Sequence, residues 1–312
     1  MAVTLDTIIV NRNSGNYLRE CLASISIAEK KGISLERVVV VDDLSSDDSL
    51  RGIETIDLPL KCIRNRVRTG YGRSCNIGAA HSNADYLLFI NTDVNLCRYS
   101  LTTPVSFLED PHNTDIGIIG VKLLGGAGEV SRSCVRFATP SRFLVMALGL
   151  DRILPSLFLS HQMKEWDHLS TREVDQVIGA FTLIRRSVFE RLGGYDERFF
   201  VYWEDQDISL RARQLGYKSV YLSSAVAIHE GGATANRVKA ESLFFMLRSR
   251  IQYGFKHFGI VRGAVVLATT AILEPFSRLI FAGWNGSIGE IRETVKAFVR
   301  FWRAIPGMIS GG

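Results

Sequence analysis

The chain has 312 residues, 46% hydrophobic and 22% charged, an ordinary globular composition with enough apolar material for one large or two small domains. Its five cysteines (Cys21, Cys62, Cys75, Cys97, Cys134) are odd in number and never in a C-x-x-C spacing, which argues against a disulfide framework and a zinc site and favours a reducing compartment. The net charge of +5 is uneven: from Arg237 onward eleven Lys or Arg stand against four Glu, giving +7 there and −2 before it.

Met1-Ala-Val-Thr-Leu-Asp6 has no basic start and runs straight into a β-rich segment, Val3 to Val10, so a cytoplasmic protein is expected. Helical spacing follows through Tyr17, Leu18, Cys21, Leu22 and Ile25. Arg37 to Val41 is a β-branched run ending in Asp42-Asp43, and Ser45 and Ser46 are placed to cap a short helix. Leu60 to Arg64 reads as a strand and Gly72 to His81 as a helix. Tyr86 to Ile90 is an unbroken apolar run, the pattern of a strand buried on both faces. Strands alternating with short helices predict βαβ units and a parallel, doubly wound α/β sheet.

Such sheets bind ligands at the carboxyl ends of their strands. Asn91 and Asp93 fall at one such end, and Asp42 and Asp43 at another, where a carboxylate can accept hydrogen bonds from a base or ribose or simply cap the next helix. No G-x-G-x-x-G follows the first strand, which counts against a dinucleotide oxidoreductase. Arg64 to Arg73 sets four arginines, Arg66 and Arg73 among them, and two glycines ahead of a helix, a composition suited to a diphosphate or to an exposed basic loop.

Ile116 to Leu124 reads as a strand, and Gly125 to Gly128 as a turn between antiparallel strands. Pro140 to Trp166 is rich in Phe, Leu and Met without periodicity, fitting either a mobile loop or an irregular buried excursion. A strand through Leu183 leads to a short helix ending at Gly193-Gly194. An aromatic run (Phe199, Phe200, Tyr202, Trp203), suited to a sugar platform or to core, then delivers Glu204, Asp205 and Asp207 to a helix start. Acids there either stabilise the helix dipole or supply a base kept ionised by the helix amides.

In the tail, Ala264 to Leu273 is apolar for ten residues before Glu274-Pro275, too short to span a bilayer. Ile288, Ile291, Val295, Phe298, Trp302 and Ile305 form an apolar stripe backed by Arg292, Lys296, Arg300 and Arg303. Two readings stay open: a helix in the interface of an anionic membrane, or one packed on the catalytic domain or on a second subunit as a homodimer.

Asp42-Asp-Leu-Ser-Ser-Asp47, Asn76-Ile-Gly78, Asn91-Thr-Asp93, Gly179-Ala-Phe181, Gly193-Gly-Tyr-Asp-Glu-Arg-Phe-Phe200, Tyr202-Trp-Glu-Asp-Gln-Asp207 and His229-Glu-Gly-Gly-Ala-Thr234 occur in the order and spacing of family 2 glycosyltransferases. Over about residues 3 to 260 the chain most resembles the bacterial rhamnosyltransferases of cell-surface polysaccharide synthesis. The resemblance implies a GT-A fold over 1–236, with a nucleotide-sugar half to about residue 100 and an acceptor half beyond, and a basic helical tail over 237–312. It also implies an inverting transfer, from a dTDP- or UDP-linked sugar to a saccharide or polyprenyl-linked acceptor, at the inner face of the membrane and without nucleic acid. By position Asn13, Asp42, Asp43, Arg66, Arg73, Asn76, Asn91, Gly179 and Ala180 would bind the donor. Asp93 and His229 would hold Mg²⁺ or Mn²⁺, Asp205 would be the base with Glu204 as neighbour and reserve, and Tyr202 and Trp203 would meet the acceptor. The first acid of the family's D-x-D is Asn91 here.

Overall fold

β-Branched residues crowd the first two strands, and with the next two they build the parallel half of the sheet. A computed structural model describes residues 2–231 and 239–310. In chain order it contains β1 (Val3–Asn11), α1 (Tyr17–Ile27), β2 (Ile33–Asp42), β3 (Leu60–Arg64), α2 (Tyr71–Ala79), β4 (Tyr86–Asn91), β5 (Val94–Leu96), α3 (Thr102–Glu109) and β6 (Ile116–Leu124). There follow β7 (Cys134–Val135), α4 (Pro140–Leu148), α5 (Leu150–Ile153), β8 (Arg172–Val174), β9 (Gln176–Val177), β10 (Phe181–Arg185), α6 (Arg186–Arg191), α7 (Glu204–Gln214), β11 (Lys218–His229), α8 (Lys239–Ala268), α9 (Glu274–Trp284) and α10 (Ile288–Ser310).

The main sheet runs β3-β2-β1-β4-β10-β6-β11-β5, with β8 also on β11. β3, β2, β1 and β4 are parallel, as is β6 with β11, while β10 runs antiparallel between β4 and β6. The α/β expectation holds, and the sheet departs from a purely parallel one at β10 and again at β5 and β8, which both run antiparallel to β11. Val38 to Val41 and Leu87 to Ile90 are buried, each large side chain contributing about 1.5–3 kcal/mol by removal from water. α2 lies close on the sheet because Gly78 has no side chain: a Cβ there would stand 2.5 Å from Cγ2 of Ile8.

Two expected features differ. Ser45 and Ser46 cap no helix; the segment after β2 is loop up to a short 3₁₀ turn at Ile53–Thr55, because Ser45 Oγ accepts instead from the Asn13 amide at 3.0 Å. The strand expected through Leu183 is broken at 178–180 into β9 and β10. The turn expected at Gly125 to Gly128 is present, closed by an antiparallel bridge between Leu124 and Val130.

The chain divides into two compact units: residues 1–136, 166–197 and 204–234, and residues 137–165, 198–203 and 235–312. The first carries the sheet. The expected boundary at 236/237 lies outside the described residues. Pro140 to Trp166 is partly helical, with Phe143 and Ala147 of α4 buried in the second unit.

In that second unit Glu274 is buried between Arg250 and Arg278, whose Nε lies 2.8 Å from it. Burial pushes the Glu274 carboxyl up, but the two guanidinium groups outweigh it and hold the group below its usual range. Pro275 is the second residue of α9, directly after the π-helical turn at Thr269–Leu273. Hence the pair expected to end the apolar segment at 273 instead lies inside a helical run, Lys239–Trp284, whose length and composition would suffice to cross a membrane.

Candidate active site

Four strand ends and one helix start converge in the first unit. At the end of β1, Asn11 is fully buried and its amide donates to Asp42 Oδ1 at 2.8 Å, Ser49 Oγ at 2.9 Å and Ser45 Oγ at 3.1 Å. Asp42 also accepts from the Ser45 amide and faces Arg64 Nε at 3.3 Å. Asp43 is the centre of a second net, with Oδ1 accepting from the Thr69 amide at 2.7 Å and Asn65 Nδ2 at 3.0 Å, and Oδ2 from the Gly70 amide at 3.2 Å. These bonds draw the basic loop 65–70 onto the end of β2 and aim the start of α2 at it. Asn13 adopts φ 49° and accepts from the Ser46 amide at 2.8 Å, pinning the loops after β1 and β2 together.

β4 ends at Asn91, whose amide donates to the Ala180 carbonyl at 3.0 Å. Two residues on, Asp93 precedes β5, and the pairing of Val94 with His229 in β11 sets the two side chains face to face, with His229 Nε2 3.4 Å from Asp93 Oδ1. Both side chains are mostly buried. Of the motif after His229, residues 232–234 lie outside the described residues.

The break in the strand at 178–180 has a chemical consequence. It releases the Gly179 amide from the ladder to donate to Asp205 Oδ2 at 3.1 Å, while Asp205 Oδ1 accepts from the Gln206 amide at 2.8 Å. Tyr71, at the start of α2, donates its hydroxyl to the Gly179 carbonyl at 3.1 Å. Asn91, Ala180, Gly179 and Asp205 thus form one continuous chain of bonds from the end of β4 to the start of α7. Tyr71, Asn11 and Thr69 join the site without a motif of their own: a polar residue closing the β1 run signals Asn11, whereas Tyr71 and Thr69 are marked only by lying in the Arg64 to Arg73 stretch.

The three acids of α7 occupy different environments. Asp207 is fully buried and bonded to Arg211 Nε at 2.7 Å, and Arg211 also donates to the Leu192 and Gly194 carbonyls, so this pair braces the Gly193-Gly194 turn. Glu204 is buried beside Gly72 of α2, and its Oε2 has no hydrogen-bond partner among the described residues. Burial, and after it the charge of Asp205, pushes the Glu204 carboxyl well above the usual range. That position does not suit a reserve base. Burial also raises the Asp205 carboxyl, against the pull of the Gly179 and Gln206 amides. The expectation that helix amides hold Asp205 low is therefore corrected: its partial removal from solvent outweighs them.

A raised folded-state pKa at Glu204 has a definite sign. Below about 4.3, the ordinary Glu value, the group is protonated in both states; above it the unfolded chain ionises first, so stability falls as pH rises, by up to about 1.4 kcal/mol per pH unit. Glu204→Gln should remove that slope. Its thermal midpoint relative to wild type should climb between pH 5 and pH 8, and parallel curves would show that Glu204 is already ionised in the fold.

The remaining expected donor residues are placed as follows. Arg66 is exposed. Arg73 Nε faces Glu197 at 3.5 Å, and the Asn76 amide donates to the Tyr195 carbonyl at 2.8 Å and accepts from its N–H at 2.9 Å. Asn76 thus ties α2 to the turn after Gly194. Trp203 is 8% exposed and packs on Phe143 and Tyr253, 5.1 and 5.3 Å between ring centroids, so it is core of the second unit and not an open sugar platform. Tyr202 and Trp203 both hold left-handed backbone, φ 67° and 72°, a strain of about 1–3 kcal/mol each, directly before the helix that carries Asp205.

For a hard divalent cation, Asp93 offers a carboxylate and His229 an imidazole on adjacent strands; no group of three or more His, Cys, Asp or Glu suited to a metal occurs among the described residues. Two protein donors fit a cation that takes its other ligands from diphosphate and water. The imidazole tilts the preference towards Mn²⁺.

This sheet and these strand ends have the architecture of the GT-A class of glycosyltransferases. The model of glycosyl transferase family 2 matches residues 6–193, and the chain belongs to that family. It is 26% identical over 255 residues to N-acetylglucosaminyl-diphospho-decaprenol L-rhamnosyltransferase of Mycobacterium tuberculosis, covering 78% of this chain and 81% of the relative. It is equally similar, 26% over 255 residues, to rhamnosyltransferase WbbL of Escherichia coli K12, covering 79% and 90%. Among solved structures, the mannosyltransferase PcManGT of Pyrobaculum calidifontis, in complex with GDP-Man and Mn²⁺, superposes with TM-score 0.57 at 16% identity over 96% of this chain and 86% of that one.

Proposed function

We propose that the chain is an inverting, divalent-metal-dependent rhamnosyltransferase that moves L-rhamnose from dTDP-rhamnose to a polyprenyl-linked saccharide in cell-surface polysaccharide synthesis. One observation carries the chemistry: Asp205, held through both carboxylate oxygens by the Gly179 and Gln206 amides, is joined through Ala180 to the strand that presents Asp93 to His229. The rhamnose, the dTDP and the lipid-linked acceptor come from the names of the relatives and from the sequence resemblance. A UDP-hexose donor is the alternative.

Asp205 takes the proton of the acceptor hydroxyl as its oxygen attacks the anomeric carbon, and the bond to the nucleoside diphosphate breaks on the opposite face of the sugar. Its raised pKa brings it closer to that of its partner proton, which improves a general base provided it remains ionised. Asp93 and His229 would hold the cation, which when bound supplies positive charge to the departing diphosphate. Asp42, Asp43 and Asn13 would form the nucleoside end, and Arg66 an exposed cationic contact.

Thermal unfolding with a panel of nucleotide sugars tests the donor. A donor held at 100 times its dissociation constant adds about 2.7 kcal/mol. dTDP-rhamnose with Mn²⁺ or Mg²⁺ should raise the midpoint more than UDP-hexoses or GDP-mannose, and chelation should cancel the gain. A larger shift with a UDP-hexose would reassign the donor; a shift unaffected by chelation would remove the metal.

A further inference from the structure

The second unit exposes apolar surface in an ordered row. Val261, Val265, Ala268, Ile272, Phe276, Ile280 and Trp284 are all exposed, Val261 at 78%, Phe276 at 64% and Trp284 at 86%. Successive members are three or four residues apart. In an uninterrupted α-helix of 3.6 residues per turn a row spaced mostly by fours winds off its face. Here a π-helical turn at Thr269–Leu273 takes an additional residue into one turn and so brings the row back into line. The other side of the same run, Gly263, Val266, Thr270, Glu274 and Ala282, is buried. Gly259, with φ 76°, breaks the helix just before the row begins.

Neighbouring helices extend the surface. The Trp302 indole donates to the Ala271 carbonyl at 3.0 Å, which sets α10 beside the π turn and adjoins its exposed Ile288, Val295 and Val299. Phe298, a member of the α10 stripe left open between membrane and packing, is buried and meets Phe301 edge to face at 6.1 Å between centroids, so that part of the stripe is helix packing. A row of this length, about 35 Å, far exceeds the scattered exposed apolar residues of a soluble surface.

Charge identifies the occupant. Between residues 260 and 303 there are six Lys or Arg and three Glu, and Glu274 is buried between two arginines and presents no negative charge outward. Arg262, Arg292, Lys296 and Arg303 are exposed. An apolar row flanked by cations and ending in a tryptophan matches a bilayer with anionic headgroups, where Trp settles at the headgroup level. The buried polar face, with Glu274, Arg250 and Thr270, fits a helix lying in the interface and not one crossing the bilayer.

We propose that the row from Val261 to Trp284 is a docking face that lies flat in the headgroup boundary of an anionic membrane. It deepens the proposed function and rests on it for its purpose, since a polyprenyl-linked acceptor carries its saccharide at that surface. Binding itself is tested without donor or acceptor. The full chain should float with vesicles containing one third phosphatidylglycerol, at least tenfold more than with phosphatidylcholine alone, and less so in 0.5 M salt. Tryptophan emission should shift to the blue. The triple variant Phe276→Ser, Ile280→Ser, Trp284→Ser should lose at least tenfold in vesicle binding while its donor hydrolysis in solution stays at the wild-type rate. Failure of the wild type to float, undiminished binding by the variant, or a wild-type dimer that the variant converts to monomer would overturn the proposal, the last by showing a second copy on this face. Vesicle binding by a chain that fails to hydrolyse any donor would leave docking standing and remove the transferase reading instead.

Discussion

Asp205→Asn should reduce sugar transfer by about 10³-fold or more, within the range of a lost general base, while donor affinity stays within a few-fold of wild type. The substitution keeps the shape and leaves an oxygen to accept from Gly179 or Gln206, so the fold around 178–180 is retained. The wild-type rate should fall on the acid side with a pKa above the ordinary Asp value of about 3.9, because burial raises this carboxyl. The variant should lose that limb. Transfer at the wild-type rate by Asp205→Asn would remove this residue from the chemistry.

Asp93→Asn should act on the other side of the reaction. Replacing the carboxylate leaves His229 as the remaining proposed protein ligand, since Asn91 already stands where the family's first acid would be. Metal-dependent donor binding should weaken at least about tenfold and kcat/KM should drop about 10²-fold or more, a loss of roughly 2.7 kcal/mol in transition-state stabilisation at 1.4 kcal/mol per factor of ten. Titration calorimetry of dTDP with and without Mn²⁺ separates the two effects. Unchanged affinity in Mn²⁺ would show that the cation, if bound, sits elsewhere.

The parallel half of the sheet is legible in sequence because its strands are encoded by contiguous apolar runs. Val38 to Val41 and Tyr86 to Ile90 have no other use than burial on both faces, and their ends sit where polar residues begin. What could not be read is where the second half of the sheet inserts. β10 pairs antiparallel with β4 through contacts more than ninety residues apart, and no local pattern records its direction.

The same limit applies to the site. The motif spacing singled out Asp93, His229 and Asp205, and the structure brings Asp93 to His229 and ties Asp205 to the β4 end. Yet the break at 178–180, which frees the Gly179 amide, looks in sequence like the middle of an apolar strand. Asn76 and Trp203 are ambiguous in sequence for a related reason: an amide and an indole serve equally as ligand contacts and as packing, and the structural use of each, on the Tyr195 backbone and on the Phe143 and Tyr253 rings, is visible only in the fold. Burial of Asp205 likewise depends on chain segments remote from it, so its raised pKa could not be foreseen from its place in a first helical turn.

The central claim is that the ends of β4 and β11 and the start of α7 serve one donor. Crystals soaked with dTDP and Mn²⁺ and measured at the manganese absorption edge test it most directly. An anomalous peak within coordination distance of an Asp93 oxygen, with the diphosphate against it and the nucleoside towards Asp42 and Asp43, is the expected result. A peak remote from Asp93 and His229, or a nucleotide bound away from these strand ends, would contradict it.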